Sequence, residues 1–550
     1  MRLRSTLGTL GTLGTLGTLS ALALSLSLSL SACATRRPAP ALIAELGKAH
    51  ALLNAGCYQC LQDALATYDR IASAKDAPPE ARRGAFNAAV LLVVRAKELG
   101  LPEQPALAQA RARASQLGPP PASPSPPARS RTASPVPAPV FPDPDALFSA
   151  IALVTGESSG FDPEERERRG VVRRNLWPTD GTVPPARTAL SSAVESDLVA
   201  QYVALSVDCD DPRLRKQVAA DEVRKRFPFP LIEFRLALCG MGAGKIEAFV
   251  DADARWRDTY FFAGRREMLS QPAPDIGLAA TLLANAHETF SDSNAVTLAL
   301  ANARNALSEY ESALALFDAV LVKVPTHRDA LLGRILSLSY LARHTDAVAS
   351  ATRMIDLGTW HMGDAYYWRA WNRYHLYQLD AAWDDVERAT KLNVTSTTFT
   401  LAGIIAFARR ELDTAIDRLT RAFKLDPTNC EAPWTEGLVH VEKQTWVDGG
   451  HRFATATRCF VATAADARRE IADTQAANYS EAVKARRIAG AQKRLETAEH
   501  RGAQSAYNAA SSYLRVGQKT EALLFVDLAG VHPLLKEKSI TLRSAIEKLP

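Results

Sequence analysis

The sequence predicts an all-α protein in which a helical hairpin repeats along much of the chain. Ala, Leu, Arg and Glu are abundant, and apolar residues recur at steps of three and four, as in amphipathic helices. No run alternates apolar and polar residues as a half-buried strand does. A set of small and apolar residues also returns at intervals of 33 to 35 residues, which indicates a structural repeat.

Residues 1–32 are expected to be a secretory signal. Arg2 and Arg4 precede a long uncharged stretch that ends on Leu-Ser-Ala-Cys at residues 30–33. A basic start, an apolar middle and small residues before the cleavage point are typical of export signals. The alternative is an uncleaved transmembrane anchor, which fits less well because the stretch is rich in Thr, Ser and Gly and ends on this motif.

The end of this stretch resembles the lipobox of bacterial lipoproteins. The resemblance implies that Cys33 is lipidated and becomes the N-terminus, where acyl chains hold the protein on a bilayer. A small residue after the cysteine, here Ala34, favours the outer membrane in that family. We therefore expect a lipid-anchored protein of the cell envelope, on the outer membrane and facing the periplasm.

Composition bears on the possible partners. The formal net charge of +5 is small for 550 residues, and no basic run is interleaved with aromatic residues. A nucleic-acid partner is therefore not expected. No segment after the signal approaches 18 uncharged apolar residues, so the rest of the chain is expected in water.

Residues 118–145 form a linker. They contain eleven of the 31 prolines, and such a stretch is extended and cannot pack a core. The linker separates a small N-terminal helical unit, residues 33–117, from a larger C-terminal part. Within that part, residues 146–290 are helical without a repeat that can be phased, either as degenerate repeats or as a distinct domain. Residues 464–503 predict one long charged helix, and residues 504–550 a final hairpin with a capping helix.

The repeat is clearest in residues 291–463. In one copy Ala415, Leu419, Ala422 and Pro427 are spaced by four, three and five residues, and an earlier copy repeats these spacings from Ala313. The first residue of the set recurs at Ala313, Ala347, Ala382, Ala415, Gly449 and Ala522. A small residue stands twelve positions earlier in four copies, at Ala370, Gly403, Gly437 and Ala510.

This pattern resembles the tetratricopeptide repeat, a helix–turn–helix of 34 residues. The resemblance implies a solenoid in which small residues lie where helices cross and Pro ends the second helix. Three positions depart from the family pattern. Ile335 replaces a small residue, and Thr359 and Val394 stand where Pro is usual.

Beyond Cys33 there are six cysteines, an even number that suits three disulfides in an exported protein. Cys209 and Cys239 flank a Pro-bounded turn. A Cys-x-x-Cys sequence such as Cys57 to Cys60 can also be a thiol–disulfide active site, but no strand–helix pattern surrounds it, which favours a structural clip. The expected pairs are Cys57–Cys60, Cys209–Cys239 and Cys430–Cys459.

The third pair follows from the repeat frame. Cys430 opens the first helix of its copy, and Cys459 lies near the end of the second, about equally far from the turn at residues 444–446. An antiparallel hairpin brings such residues side by side, as a disulfide requires. The alternative is a metal site with His440 and His451, which fits less well because these histidines lack close ligand spacing.

Aromatic residues are concentrated between positions 360 and 383. On the repeat frame several of them fall on the face that lines the inner groove in tetratricopeptide repeats. Aromatic rings with a polar tip are favoured anchors for peptides and sugars. The alternative is a core between helices that is rich in Tyr and Trp. The expected groove residues are Asp364, Tyr367, Trp371, Tyr374, His375, Thr400 and Phe407.

No motif supports catalysis. The stretch from Cys239 to Ile246 is Gly-rich and has a Lys, but a phosphate loop needs Ser or Thr after that Lys. We therefore expect no catalytic residue, no cofactor and no metal. The expected function is a membrane-anchored scaffold or adaptor that binds a protein or peptide partner in the envelope on its concave face. The alternative is a surface lipoprotein that binds nutrient glycans with an aromatic groove.

Overall fold

In a computed structural model the described part of the chain folds into helices and turns alone. The structure describes residues 40–117, 143–155, 190, 193–210, 215–241, 246–250, 255–269, 274–358, 362–479 and 481–550. The expected signal peptide, Cys33 and the linker up to residue 142 lie outside them. None of the described helices has the length and apolarity needed to cross a membrane.

The helices of the first half lie at the following bounds: α1 Pro40–Ala55, α2 Tyr58–Ala72, α3 Pro79–Glu98, α4 Gln104–Ala114, α5 Pro144–Thr155, α6 Leu198–Asp210, α7 Ala220–Arg226, α8 Pro230–Leu238, α9 Glu247–Val250, α10 Thr259–Met268 and α11 Ile276–Thr289. Those of the second half are α12 Asn294–Ala306, α13 Tyr310–Lys323, α14 Arg328–Tyr340, α15 His344–Asp356, α16 Met362–His375, α17 Leu379–Leu392, α18 Ser396–Ala408, α19 Leu412–Leu425, α20 Glu431–Glu442, α21 Trp446–Ala476, α22 Glu481–Arg515, α23 Lys519–Gly530 and α24 Lys536–Glu547.

The N-terminal helices α1–α4 are separated from the later helices in sequence but contact them in space. Buried apolar residues of α1–α4 share one cluster with residues of α5, α6 and α8. Arg95 of α3 forms a fully buried ion pair with Asp258, just before α10. Ser293, which caps α12, donates a hydrogen bond to the backbone oxygen of Leu99. The N-terminal unit therefore packs against the middle region and the start of the repeats.

Helices α12–α21 form successive antiparallel hairpins, which confirms the predicted all-α helix–turn–helix repeat. The predicted small residues lie where helices meet. A Cβ atom on Gly403 would come within 2.4 Å of Leu419, and one on Gly437 within 2.7 Å of Phe453. In the second copy Ile335 replaces the small residue, and the glycine of that helix, Gly333, instead approaches Phe317 of α13 in the preceding hairpin.

Each hairpin turn has one residue in the left-handed conformation. These residues are Ser308, Ala342, Tyr377, Arg410 and Gln444, with φ between 56° and 66°. The residue that follows each of them donates a backbone hydrogen bond of 2.9 Å to a carbonyl oxygen five positions back, which is the six-to-one bond of a Schellman motif. The final hairpin has Gly517 at the same place. The turn is thus identical along the array, although five of its copies lack glycine.

The charged stretch at residues 464–503 is not one helix, so that prediction is wrong. It belongs to α21 and α22, which end and begin around residues 477–480 and form a long antiparallel hairpin. The two helices pack closely through small and apolar side chains, which form a buried row between them. This row consists of Ala464, Ala467, Leu495 and Ala498. Charged residues flank it, and Arg468 pairs with Glu499 across the hairpin.

Candidate functional site

The first helices of the successive hairpins, α12, α14, α16, α18 and α20, contact one another and form one continuous surface. Tyr367, Trp371 and Tyr374 lie on α16 in this surface. They pack partly buried against the cluster that includes Leu401 and Ile405 of α18. Each of these rings thus takes part in interhelix packing and retains some exposed area.

Other expected groove residues differ in their accessibility. His375 is exposed, and Asp364 accepts a hydrogen bond of 3.2 Å from Asn393 at the end of α17. Thr400 is only 8% exposed, donates to the backbone oxygen of Ser396 and accepts a bond from Asn429. Phe407 packs partly buried against the cluster formed by α18, α19 and α20. Thr400 therefore stabilises the fold and is not available to a partner.

Two stacked ring pairs join neighbouring hairpins at equivalent positions. Tyr310 stacks on Tyr340 with ring centroids 4.8 Å apart and planes 10° apart. One repeat later, His344 stacks on His375 at 4.7 Å and 6°. Tyr310 and His344 are the first residues of α13 and α15, the second helices of their hairpins. Tyr340 and His375 are the last residues of α14 and α16, the first helices of the hairpins that follow. Tyr310, Tyr340 and His344 were not expected from the sequence, since their proximity follows only from the rotation between hairpins.

These contacts alter the titration of the rings. Burial and the neighbouring Tyr340 phenol raise the pKa of Tyr367 to about 12. Partial desolvation of the ring and the neighbouring His344 lower the pKa of His375. We use the name aromatic surface for the set Tyr340, Tyr367, Trp371, Tyr374 and His375. At neutral pH this surface is uncharged and amphipathic.

An ion-pair network between α16 and α17 orients α16, the helix that carries four residues of the aromatic surface. Arg369 of α16 donates two hydrogen bonds, of 2.8 and 2.7 Å, to the carboxylate of Asp385 on α17. Arg373 adds a third bond of 2.7 Å to the same carboxylate. Because a bidentate arginine–carboxylate contact fixes direction as well as distance, α16 is held in one orientation about its axis.

The long hairpin α21–α22 reaches back to the start of the repeats. Arg486 of α22 contacts the carboxylate of Asp275, which also caps α11 by accepting a bond from the backbone of Leu278. Burial alone would raise the pKa of Asp275, but the hydrogen bonds from Arg486 and Leu278 outweigh it and lower that pKa. A cavity of about 1400 Å³, with several charged side chains in its lining, lies between the hairpin and residues 274–277 and 306–308.

The six cysteines expected to pair form three disulfides, Cys57–Cys60, Cys209–Cys239 and Cys430–Cys459. Cys57 and Cys60 are fully buried against Phe234 and Trp256, and Cys57 caps α2 through its sulfur. The histidines considered as metal ligands contact other groups, His440 a threonine and His451 the hydroxyl of Tyr513. Within the described ranges no cluster of His, Cys, Asp and Glu has the arrangement of a metal site.

Solved structures of helical-repeat proteins are similar to this chain. YrrB, a TPR protein with an unusual peptide-binding site, has 20% sequence identity and a TM-score of 0.28, over 33% of this chain and 93% of its own. A tetratricopeptide repeat protein from Parabacteroides merdae ATCC 43184 has 12% identity and a TM-score of 0.34, over 50% of this chain and 98% of its own. For the APC/C hetero-tetramer Cut9–Hcn1 the values are 11% and 0.32, over 89% of this chain and 93% of that one.

No protein-family profile matches the sequence, and no curated protein matches it. Because the identities and TM-scores of the similar structures are low, the assignment to a helical repeat rests on the hairpins themselves.

Proposed function

We propose that this chain is a scaffold or adaptor of the bacterial cell envelope that binds a protein or peptide partner on the aromatic surface. The observation that carries the proposal is the position of the five side chains of that surface. They lie on two neighbouring first helices and retain exposed area, and the Arg369–Asp385 pair ties α16, which carries four of them, to α17. Rigid aromatic residues with polar tips bury area on binding at a low cost in entropy.

The same observation favours a protein partner over a glycan. Sugars are bound by flat, exposed aromatic faces, whereas Trp371 and Tyr374 each make a T-shaped contact with His375, at 4.7 and 5.2 Å between centroids. Their remaining area forms an irregular, partly apolar surface, which suits side chains of a peptide or protein.

Affinity capture from solubilised envelope tests this proposal. The test variant replaces Tyr340 and His375 by Ser, because these rings are exposed and their loss leaves the interhelix packing of Trp371 intact. The control is Tyr377→Ser, which removes a ring that is 88% exposed at a hairpin turn. We expect one protein to be lost from the eluate of the double variant and retained with the control, at equal helicity by circular dichroism. Identical eluates would overturn the proposal and leave glycan binding as the hypothesis to test.

We propose further that Cys33 carries the lipid anchor on the outer membrane. The support is the Leu-Ser-Ala-Cys motif at residues 30–33 after an apolar stretch. Metabolic labelling with an alkyne fatty acid is expected to label the wild-type chain and not Cys33→Ser. Membrane fractionation is expected to move the variant out of the outer-membrane fraction. Equal labelling of both proteins would contradict the lipid anchor.

A further inference from the structure

A second cavity lies between the start of α20 and the two helices of the long hairpin, α21 and α22. Its walls are mostly apolar. Its volume is about 580 Å³, within the range of small-molecule sites. The buried side chains of Phe460 and Ala498 and the Cys430–Cys459 disulfide form or border its wall. We call this cavity the α22 pocket. It shares Gly490, Lys493 and Arg494 with the larger cavity beside the hairpin.

Gly490, like Gly47 of α1, lies in a helix and has no close neighbour at the place of its missing Cβ, and Gly490 also lines the α22 pocket. A Cβ atom on Gly84, Gly403 or Gly437 would collide with a neighbouring side chain, so close packing explains those glycines. A Cβ atom on Gly490 would meet only the guanidinium of Arg494, at 3.8 Å. A glycine inside a helix costs stability relative to alanine, and no packing within the chain accounts for this one. The space beside Gly490 is therefore open to a group from outside the chain.

The charges at the pocket favour an anion. Lys493 lines both cavities, is exposed and forms no ion pair within the described ranges. Arg494 lies in the same lining, and its charge is paired with Glu470 of the hairpin. The one carboxylate in the lining, Glu431, is paired with Arg501. The lining thus combines apolar walls with one cation, Lys493, whose charge is not balanced by an ion pair within the described residues.

We propose that the α22 pocket binds an organic anion with an apolar body, whose charge contacts Lys493 and Arg494 and whose body lies against Phe460 beside Gly490. Such a ligand would contact α21, α22 and the start of α20 together. The proposal does not depend on the aromatic surface.

Fluorescence titration of the full chain with 1-anilinonaphthalene-8-sulfonate tests it, since this probe is an anion with apolar rings. We expect Lys493→Glu to weaken binding about tenfold, because it reverses a charge at the site. Gly490→Leu is expected to abolish binding by filling the pocket, while its higher helix propensity keeps the fold intact. The matched control, Lys424→Glu, reverses an exposed lysine outside the pocket and is expected to change the Kd less than about twofold.

The neutral probe N-phenyl-1-naphthylamine separates charge from apolar contact. It is expected to bind more weakly than the anionic probe and to respond to Gly490→Leu but not to Lys493→Glu. Unchanged affinity of the anionic probe in both Lys493→Glu and Gly490→Leu would overturn the proposal. So would equal binding of the two probes with no response to Lys493→Glu.

Discussion

Arg486 donates three hydrogen bonds, of 2.8, 3.0 and 2.6 Å, to the carboxylate of Asp275, which lies 211 residues earlier in the chain. The Asp275 side chain is 2% exposed, so the contact joins the long hairpin firmly to the start of α11. The end of the repeat array is thereby connected back to α11, the helix just before the first repeat hairpin.

Asp275→Asn tests this connection. Asn retains the cap on α11 but removes the charge that Arg486 contacts. We expect the hairpin to separate from α11 in part of the population, with a loss of roughly 1 kcal/mol because Arg486 is partly exposed. Spin labels at Ala306→Cys and Asn478→Cys, measured by double electron–electron resonance, are expected to show a broader and longer distance distribution. Asp466→Asn, in an exposed pair with Arg469, is the control and should leave the distribution unchanged. An unchanged distribution in Asp275→Asn would show that other contacts hold the hairpin.

The repeated left-handed turn predicts a stabilising substitution. Ala342 is exposed and has a φ of 56°, a conformation that glycine adopts without strain. Ala342→Gly is expected to raise the free energy of unfolding by about 1 kcal/mol. Ala349→Gly, at an exposed position inside α15, is the control and is expected to lower it by about 1 kcal/mol. Urea denaturation followed by circular dichroism measures both, and a destabilised Ala342→Gly would contradict the role assigned to the turn.

The stacked histidines predict a loss of stability in acid. Burial and the neighbouring His344 hold the pKa of His375 below the value of 6.5 expected in the unfolded chain. The unfolded chain therefore binds the proton more readily, and stability falls as the pH drops from about 7 to about 5. His375→Gln removes this titration and is expected to show a smaller decrease in Tm over that range. The wild type and variant would have equal decreases if the stack did not affect protonation.

The buried pair between α3 and the segment before α10 predicts a large effect on stability. Arg95 and Asp258 have no exposed side-chain area, and the Arg95 guanidinium also lies 4.2 Å from the centre of the Phe234 ring. Arg95→Leu leaves the Asp258 carboxylate buried without its cation and is expected to cost roughly 3–5 kcal/mol.

The control for Arg95→Leu is the exposed pair of Arg70 and Glu45 on the N-terminal helices. Arg70→Leu is expected to cost less than about 1 kcal/mol. Equal midpoints of urea denaturation for the two variants would show that the buried pair does not hold the N-terminal unit in place.

The sequence by itself determined the helical class, the hairpin period and the candidate cysteine pairs. These features depend on local periodicity and on a repeat whose partners lie within about one copy of each other. For the same reason the repeat predicts that Gly403 and Gly437 lie where two helices pack closely, which the contacts with Leu419 and Phe453 confirm.

Only the tertiary structure decided how distant parts meet. The hairpin turns have residues such as Ala342 and Arg410 where glycine would be expected, so their left-handed conformation has no sequence signal. The ring stacks depend on the rotation between neighbouring hairpins, and the Arg486–Asp275 contact depends on the sum of those rotations over the whole array. Such contacts depend on the packing angles between all the intervening helices, and a local pattern of residues does not determine those angles.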